Sequence, residues 1–432
     1  MSYADTLPDN VRRRARFFAT GAAVAGCISE VILDYSAVII LLFTMLNASP
    51  MATMFSSSLT MVMTVFLMIP NAGLVDKIGL KNAVKWACHV GCAGFLLVAA
   101  SPFFGRLAIP AALTGIFLYC AQRAVYGSAW YPMLDDFLRP DERGKFFSVM
   151  RTCYMSFNGI LLFMTGLLLE KTPSITILQI VIAIAGIGVL IRWYCIRQFP
   201  LDPDQKNGSY NLKQALHTSI RNAPLTGFSV YLCILTMASS ALLPLTLIYL
   251  RKYVQMEPGK VQLLSTIGIG GSIFGYFLYG KVTRVIKLKY LELAVHLLFL
   301  ALAVVLFFLN HKMPGFDYII AVIILLNALG SAWLLCNNSV EYLALARPGN
   351  KVMAISFCQT YSGIGGAAGR VGSSVLLGSS MLASEWNFFG QTVSIYHSLF
   401  LISALIAFMA LVLLPVLPSF VPEHENYYNP GK

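Results

Sequence analysis

The feature that most constrains this chain is a succession of apolar runs, separated by short polar connections. A helix that crosses a bilayer needs roughly 20 predominantly apolar residues. Runs of that kind occur near 17–46, 52–74, 82–104, 109–134, 146–169, 174–197, 225–250, 261–282, 290–309, 318–344, 352–380 and 394–417. They predict twelve transmembrane helices in an all-α integral membrane protein, with the long first and eleventh spans tilted. Composition agrees. Charged residues make up 12% of the chain and hydrophobic residues 57%, whereas soluble domains carry about 25% charged residues. So few charges cannot build a water-facing surface around 432 residues, and the remaining area must face lipid.

The net charge of +12 does not point to nucleic acid, because the basic residues are dispersed among apolar spans. Their placement reports orientation instead. Loops on the N-terminal side hold 21 Lys and Arg residues and loops on the other side hold 6. That asymmetry places both termini in the cytoplasm and predicts a multi-pass protein of the plasma membrane, the inner membrane in a bacterium. The apolar run after MSYADTLPDNVRRRAR exceeds the roughly 7–15 residues of a signal-peptide core, so the first helix is expected to be retained. The nine cysteines fall inside apolar runs, where neither a disulfide nor a metal site is expected.

The longest polar connection, FPLDPDQKNGSYNLKQALHTSIRNAP, divides the spans six and six. The predicted organisation is a six-helix bundle over 1–198, a cytoplasmic linker over 199–224, a second bundle over 225–418 and a cytoplasmic tail over 419–432. Within the linker, Tyr210–Arg221 is either a surface-lying amphipathic helix or a plain tether. The two halves repeat each other. Ala72–Lys81 aligns with Gly280–Lys289 at an offset of 208, and Gly127-Ser128-Ala129-Trp130 recurs as Gly330-Ser331-Ala332-Trp333 at an offset of 203. Both matches join spans six apart, and the paired tryptophans are expected to pack equivalently. Two six-helix halves in the same orientation are a transporter architecture with its site near the midplane.

These residues resemble the major facilitator superfamily over essentially the whole chain. The family's loop after the second span, roughly G-x-L-x-D-R-x-G-R-K, reads Ala72-Gly73-Leu74-Val75-Asp76-Lys77-Ile78-Gly79-Leu80-Lys81 here. Its fourth-span pattern R-x-x-Q-G reads Arg123-Ala124-Val125-Tyr126-Gly127, followed by Pro132 and Glu142-Arg143-Gly144. The resemblance implies two pseudo-symmetric bundles, alternating access, and a cytoplasmic gate of Asp76, Lys77, Gly79 and Arg143. In that gate Asp76 caps a helix N-terminus and pairs with arginine. The second half has Arg284 at the Asp76 position, so its copy of the latch is altered. The glycine-proline motif of family antiporters is missing from span five, which contains no proline.

Ionisable groups at bilayer depth are functional candidates. Glu30 and Asp34 share a face of span one, Arg123 lies in span four and Arg370 in span eleven. Two carboxylates so placed repel when both ionise, which is the dependence on a neighbour that proton coupling requires. The competing reading is a static pair, such as Glu30 with Arg123. Arg151 and Arg192 lie nearer helix ends and are expected to snorkel to the surface. Arg370 has no evident acidic partner, which points to an anionic or zwitterionic ligand. Polar residues that complete a midplane site, or else bond helix to helix, are Tyr35, Gln122, Tyr126, Asn327, Asn337, Asn338, Gln359 and Tyr361. The glycines at 363–372 either pack helices closely or break the helix beside the site.

No nucleotide-binding motif, catalytic set or cofactor site is visible. The expectation is therefore not an enzyme but a secondary transporter, active as a monomer. It would take up a small polar, anionic or zwitterionic solute by proton symport through Glu30, Asp34 and Arg123. Sodium coupling, an exporter or antiporter, an uncoupled facilitator, and a non-transporting receptor or assembly factor on the same fold remain open.

Overall fold

The structure is a computed structural model that describes residues 3–201, 212–283, 285–286, 288–345, 351–388 and 391–413. After a short helix α1 (Tyr3–Thr6), the first half runs through α2 (Asp9–Asp34), α3 (Val38–Met45), α4 (Pro50–Ile78), α5 (Leu80–Ala100), α6 (Ala108–Asp135), α7 (Pro140–Lys171) and α8 (Ile175–Ile196). The linker forms α9 (Leu212–Ile220). The second half runs through α10 (Ala223–Ser239), α11 (Leu242–Ile248), α12 (Pro258–Val282), α13 (Leu288–Phe308), α14 (Phe316–Leu345), α15 (Lys351–Gly378) and α16 (Ile395–Leu413). Ten segments of the described residues are long and apolar enough to cross a membrane. One of them, Leu80–Trp130, holds both α5 and most of α6.

Local chemistry sets the helix ends. Proline opens α4, α7 and α12, in the first turn where its missing N–H is no loss. Ser49 Oγ accepts from the Ala52 N–H at 3.1 Å and caps α4. Gly79, at φ 82°, separates α4 from α5 in a conformation that favours glycine.

The first and seventh apolar runs are not single helices. Expected as one span each, the first of them tilted, they break at Tyr35–Ala37 between α2 and α3 and at Ser240–Ala241 between α10 and α11. The breaks fall on Ser36-Ala37 and Ser240-Ala241, 204 positions apart, close to the repeat offsets. Past the second break, α11 widens into a π-helical turn over Tyr249–Tyr253. By contrast, α15 is continuous through its glycines. Gly365 and Gly369 lie against the backbone of Cys233 and Met237 in α10, so those small residues serve close packing.

The structure also departs from an all-helical chain at one connection. β1 (Glu385–Phe388) pairs antiparallel with β2 (Gln391–Ser394) between α15 and α16. Trp386 Nε1 donates to Ser398 Oγ at 2.9 Å, and the Phe388 ring packs 5.5 Å from Phe307, so the ribbon is anchored on α13 and α16. In the linker, α9 packs on α10 and α15.

The two halves meet along α4 against α15 and α7 against α12. At the end opposite the N-terminus they are joined by side chains that donate to main-chain carbonyls. Lys252 Nζ donates to Ala48 O at 2.9 Å, and Ser374 Oγ donates to Met51 O at 2.8 Å. There Gly259 of α12 lies so close to the Glu170 backbone of α7 that no Cβ fits. Gly259→Leu is therefore expected to force this end open. Labelling of Ala48→Cys by a membrane-impermeant maleimide, against a background without native cysteines, should then accelerate. An unchanged rate would show that α7 and α12 are not held by this contact.

Candidate functional site

The breaks in the first and seventh runs face each other across the middle of the protein. Between them lies a cleft lined by Leu33, Asp34, Ser36, Ser57, Pro244 and Arg370, among others. It is scarcely wider than a water molecule in this state. Breaking a helix at membrane depth frees backbone groups that lipid cannot satisfy, and here side chains of the second half partner both breaks. Ser265 Oγ of α12 accepts from the Ala37 N–H at 3.2 Å. Arg370 Nε donates to Ser240 O at 3.0 Å, and its Nη1 donates to Ser57 O of α4 at 2.6 Å.

Arg370, read from the sequence as without an acidic partner, finds carbonyl partners instead. It is buried and donates to a carbonyl of each half, where no water is present in hydrocarbon to donate instead. The carboxylate nearest to it in the cleft is Asp34. Asp34 Oδ2 accepts from Arg123 Nη1 at 2.5 Å, while Oδ1 is buried with no hydrogen-bond partner.

Glu30 does not pair with Arg123. Its Oε1 accepts from Arg192 Nη2 of α8 at 2.7 Å. The snorkelling expected of Arg192 is likewise overturned, since its side chain is 0% exposed. The guanidinium lies 4.0 Å from the Tyr126 ring centre and within 3.4 Å of Cys27 Sγ. Burial is possible because cation–π contact, ion pairing and hydrogen bonding act together. Arg151 also points inward, 5.5 Å over Tyr276 of α12 and 3.9 Å from Cys336 Sγ of α14. Glu30 and Asp34 thus each have their own guanidinium, and the repulsion inferred from their shared helix face is relieved.

The other polar candidates scatter. Tyr35 sits at the first break. Tyr126 is bound up with Arg192. Gln122 is buried against Gly91 of α5, its amide atoms without partners. Asn327 lines a second small cleft with Leu242 and Thr246. Asn337 and Asn338 are buried further along α14. Tyr361 packs at a tilt 4.9 Å from Phe357, and Gln359 lies on the same helix, half-buried. None of these lines the central cleft, except that Tyr35 flanks it. Trp130 packs on Tyr126 and Phe199, whereas Trp333 Nε1 donates to Gly275 O at 2.8 Å, so the repeated tryptophans differ in use. Of the gate residues, the side chains of Asp76, Lys77 and Arg143 lie outside the described residues, and Gly79 forms the turn noted above. Sequence reasoning missed Ser36, Ser56 and Ser57, whose small polar side chains line the cleft. The paired Ser-Ala steps at the breaks were the available signal.

The family model of the Major Facilitator Superfamily matches residues 18–370. Among solved structures, a D-xylose-proton symporter superposes with a TM-score of 0.71 at 11% identity, covering 95% of this chain and 98% of its own. The nucleoside transporter NupG gives 0.66 at 16%, covering 94% and 99%. A bacterial homologue of the iron transporter ferroportin, inward-facing, gives 0.65 at 11%, covering 94% and 97%. These likenesses are of fold. No curated protein sequence matches the chain.

Arg192 fits only because Gly26 of α2 has no side chain, since a Cβ there would overlap the guanidinium. Gly26→Ala is expected to cost about 1–3 kcal/mol by overpacking, read as a lowered melting temperature of the purified protein in detergent. Wild-type stability in that variant would show that Arg192 does not lodge against α2.

Proposed function

This chain belongs to the major facilitator superfamily, and from that premise we propose that it is a proton-coupled symporter for a small polar solute. The protein is a transporter rather than an enzyme. In our reading it crosses the membrane twelve times with both termini cytoplasmic, and works as a monomer in the plasma membrane. The halves 1–198 and 225–418 rock about the central cleft, joined by the linker 199–224, with 419–432 as a cytoplasmic tail. Asp76, Lys77, Gly79 and Arg143 latch the cytoplasmic end.

The observation that carries the reading is the divided state of Asp34. One oxygen holds Arg123 while the other stands unpartnered in the cleft beside Arg370. A proton arriving on Asp34 cancels the charge that holds Arg123. The guanidinium is then released to bind solute, and the two protein-bound states exchange one ligand for another. Glu30, occupied by Arg192, keeps that second cation in place rather than carrying the proton. Three guanidinium groups, of Arg123, Arg192 and Arg370, face two carboxylates here. Adding a proton widens the excess of positive charge, and buried charge needs compensation. An anionic or zwitterionic solute supplies it. The likeness to a D-xylose-proton symporter supports proton coupling on this fold without indicating a sugar.

Purified protein in proteoliposomes, supplied with a panel of labelled carboxylates, phosphates, amino acids, nucleosides and sugars, tests both parts. An inward proton gradient should drive accumulation of a charged member. Asp34→Asn should abolish accumulation while sparing exchange of solute for solute. Accumulation by Asp34→Asn at the wild-type level would overturn the coupling role. Arg370→Gln should weaken the anion's half-saturation about tenfold or more, the worth of a lost charged hydrogen bond. An unaltered value would remove the argument for solute charge.

A further inference from the structure

A second buried acid lies away from the central cleft, in the cytoplasmic part of the second half. Glu292 is on α13, one turn from the start of the helix, and is 1% exposed. Neither of its carboxyl oxygens has a hydrogen-bond partner. An isolated carboxylate in a medium of low dielectric costs far more than a neutral acid, so such a group keeps a proton. The side chains that act on it are Glu341 of α14 and Tyr231 of α10, and the hydroxyl of Tyr279 of α12 is buried beside the same two acids without a partner. None of these is a cation.

The residue one turn deeper on the same face is His296, fully buried. Its Nε2 lies 2.7 Å from the Ala407 carbonyl of α16. A carbonyl can only accept, so Nε2 carries the hydrogen. In the neutral ring Nδ1 then has a bare lone pair, and it too has no partner. Tyr231 stacks on the ring at 6.2 Å and holds its plane. A buried acid that needs an acceptor and a buried acceptor that needs a donor therefore stand four residues apart on one helix.

We propose that Glu292 and His296 form a proton-binding site, in which one proton is shared between the Glu292 carboxyl and His296 Nδ1 through one water. The proton is the only ligand required. The step consists of its transfer to an oxygen or nitrogen lone pair, with no other bond made or broken. This site is separate from Asp34 and stands whether or not Asp34 couples transport.

Infrared difference spectroscopy of the full-length protein in lipid nanodiscs, comparing each variant with wild type at neutral pH, tests it. Wild type should show a protonated-carboxyl C=O band that Glu292→Gln removes and that both Asp34→Asn and Glu341→Gln retain. His296→Gln, which preserves an N–H for Ala407, should move the band by changing its hydrogen bond. If Glu292→Gln does not assemble, the shift in His296→Gln decides alone. A band that survives Glu292→Gln, or one indifferent to His296→Gln, would overturn the proposal.

Discussion

The structure depends on one constraint: inside hydrocarbon, every backbone N–H and C=O must find its partner within the protein. Continuous helices meet it without help. The two breaks, at Tyr35–Ala37 and Ser240–Ala241, do not. Each is satisfied by a side chain reaching across from elsewhere, Ser265 to Ala37 and Arg370 to Ser240. Arg370 also holds Ser57 of the first half. The groups that repair the breaks are thus the groups that join the halves. Relative movement of the halves must exchange those hydrogen bonds for others, and water or solute in an opened cleft can supply them. The site lies where the fold has unsatisfied demand.

The division between what was legible in the sequence and what was not follows the range of the interactions. The spans are local, and apolar runs of about twenty residues announced them. The six-plus-six repeat is a relation between segments, carried by the Gly-Ser-Ala-Trp copies. The breaks were hidden because no proline or glycine marks Tyr35-Ser36-Ala37, and an apolar run continues on both sides. Comparing the halves exposes them, since the same Ser-Ala step recurs in span seven.

Partners of charged side chains were least legible, because each pair joins distant helices. Arg192 stands four residues from the end of α8, a position compatible with snorkelling. Its true direction is set by Gly26, whose missing side chain opens a slot in α2. Glu292 was passed over for a similar reason, as it stands near the basic end of an apolar run. Its companion His296, one turn deeper on the same face, was the available signal. A titratable pair at that spacing inside an apolar segment is rarely a solvated surface feature.

The repeat also explains why chemistry gathers in one place. Duplicated halves present equivalent faces to the midplane, so a symmetric pair would offer the same groups twice. Here the copies have diverged. Asp34 and Arg123 have no counterparts of the same kind in the second half, where Leu326 occupies the position matching Arg123. The second half contributes Arg370 instead, from α15. A carboxylate on one side of the cleft and a permanent cation bound to both halves give the interface an asymmetric charge. In the proposed mechanism, protonation of Asp34 would loosen its pair with Arg123 inside the first bundle and change the balance of charge at the interface. On that proposal, a pair of bundles is switched by a single charge at their junction.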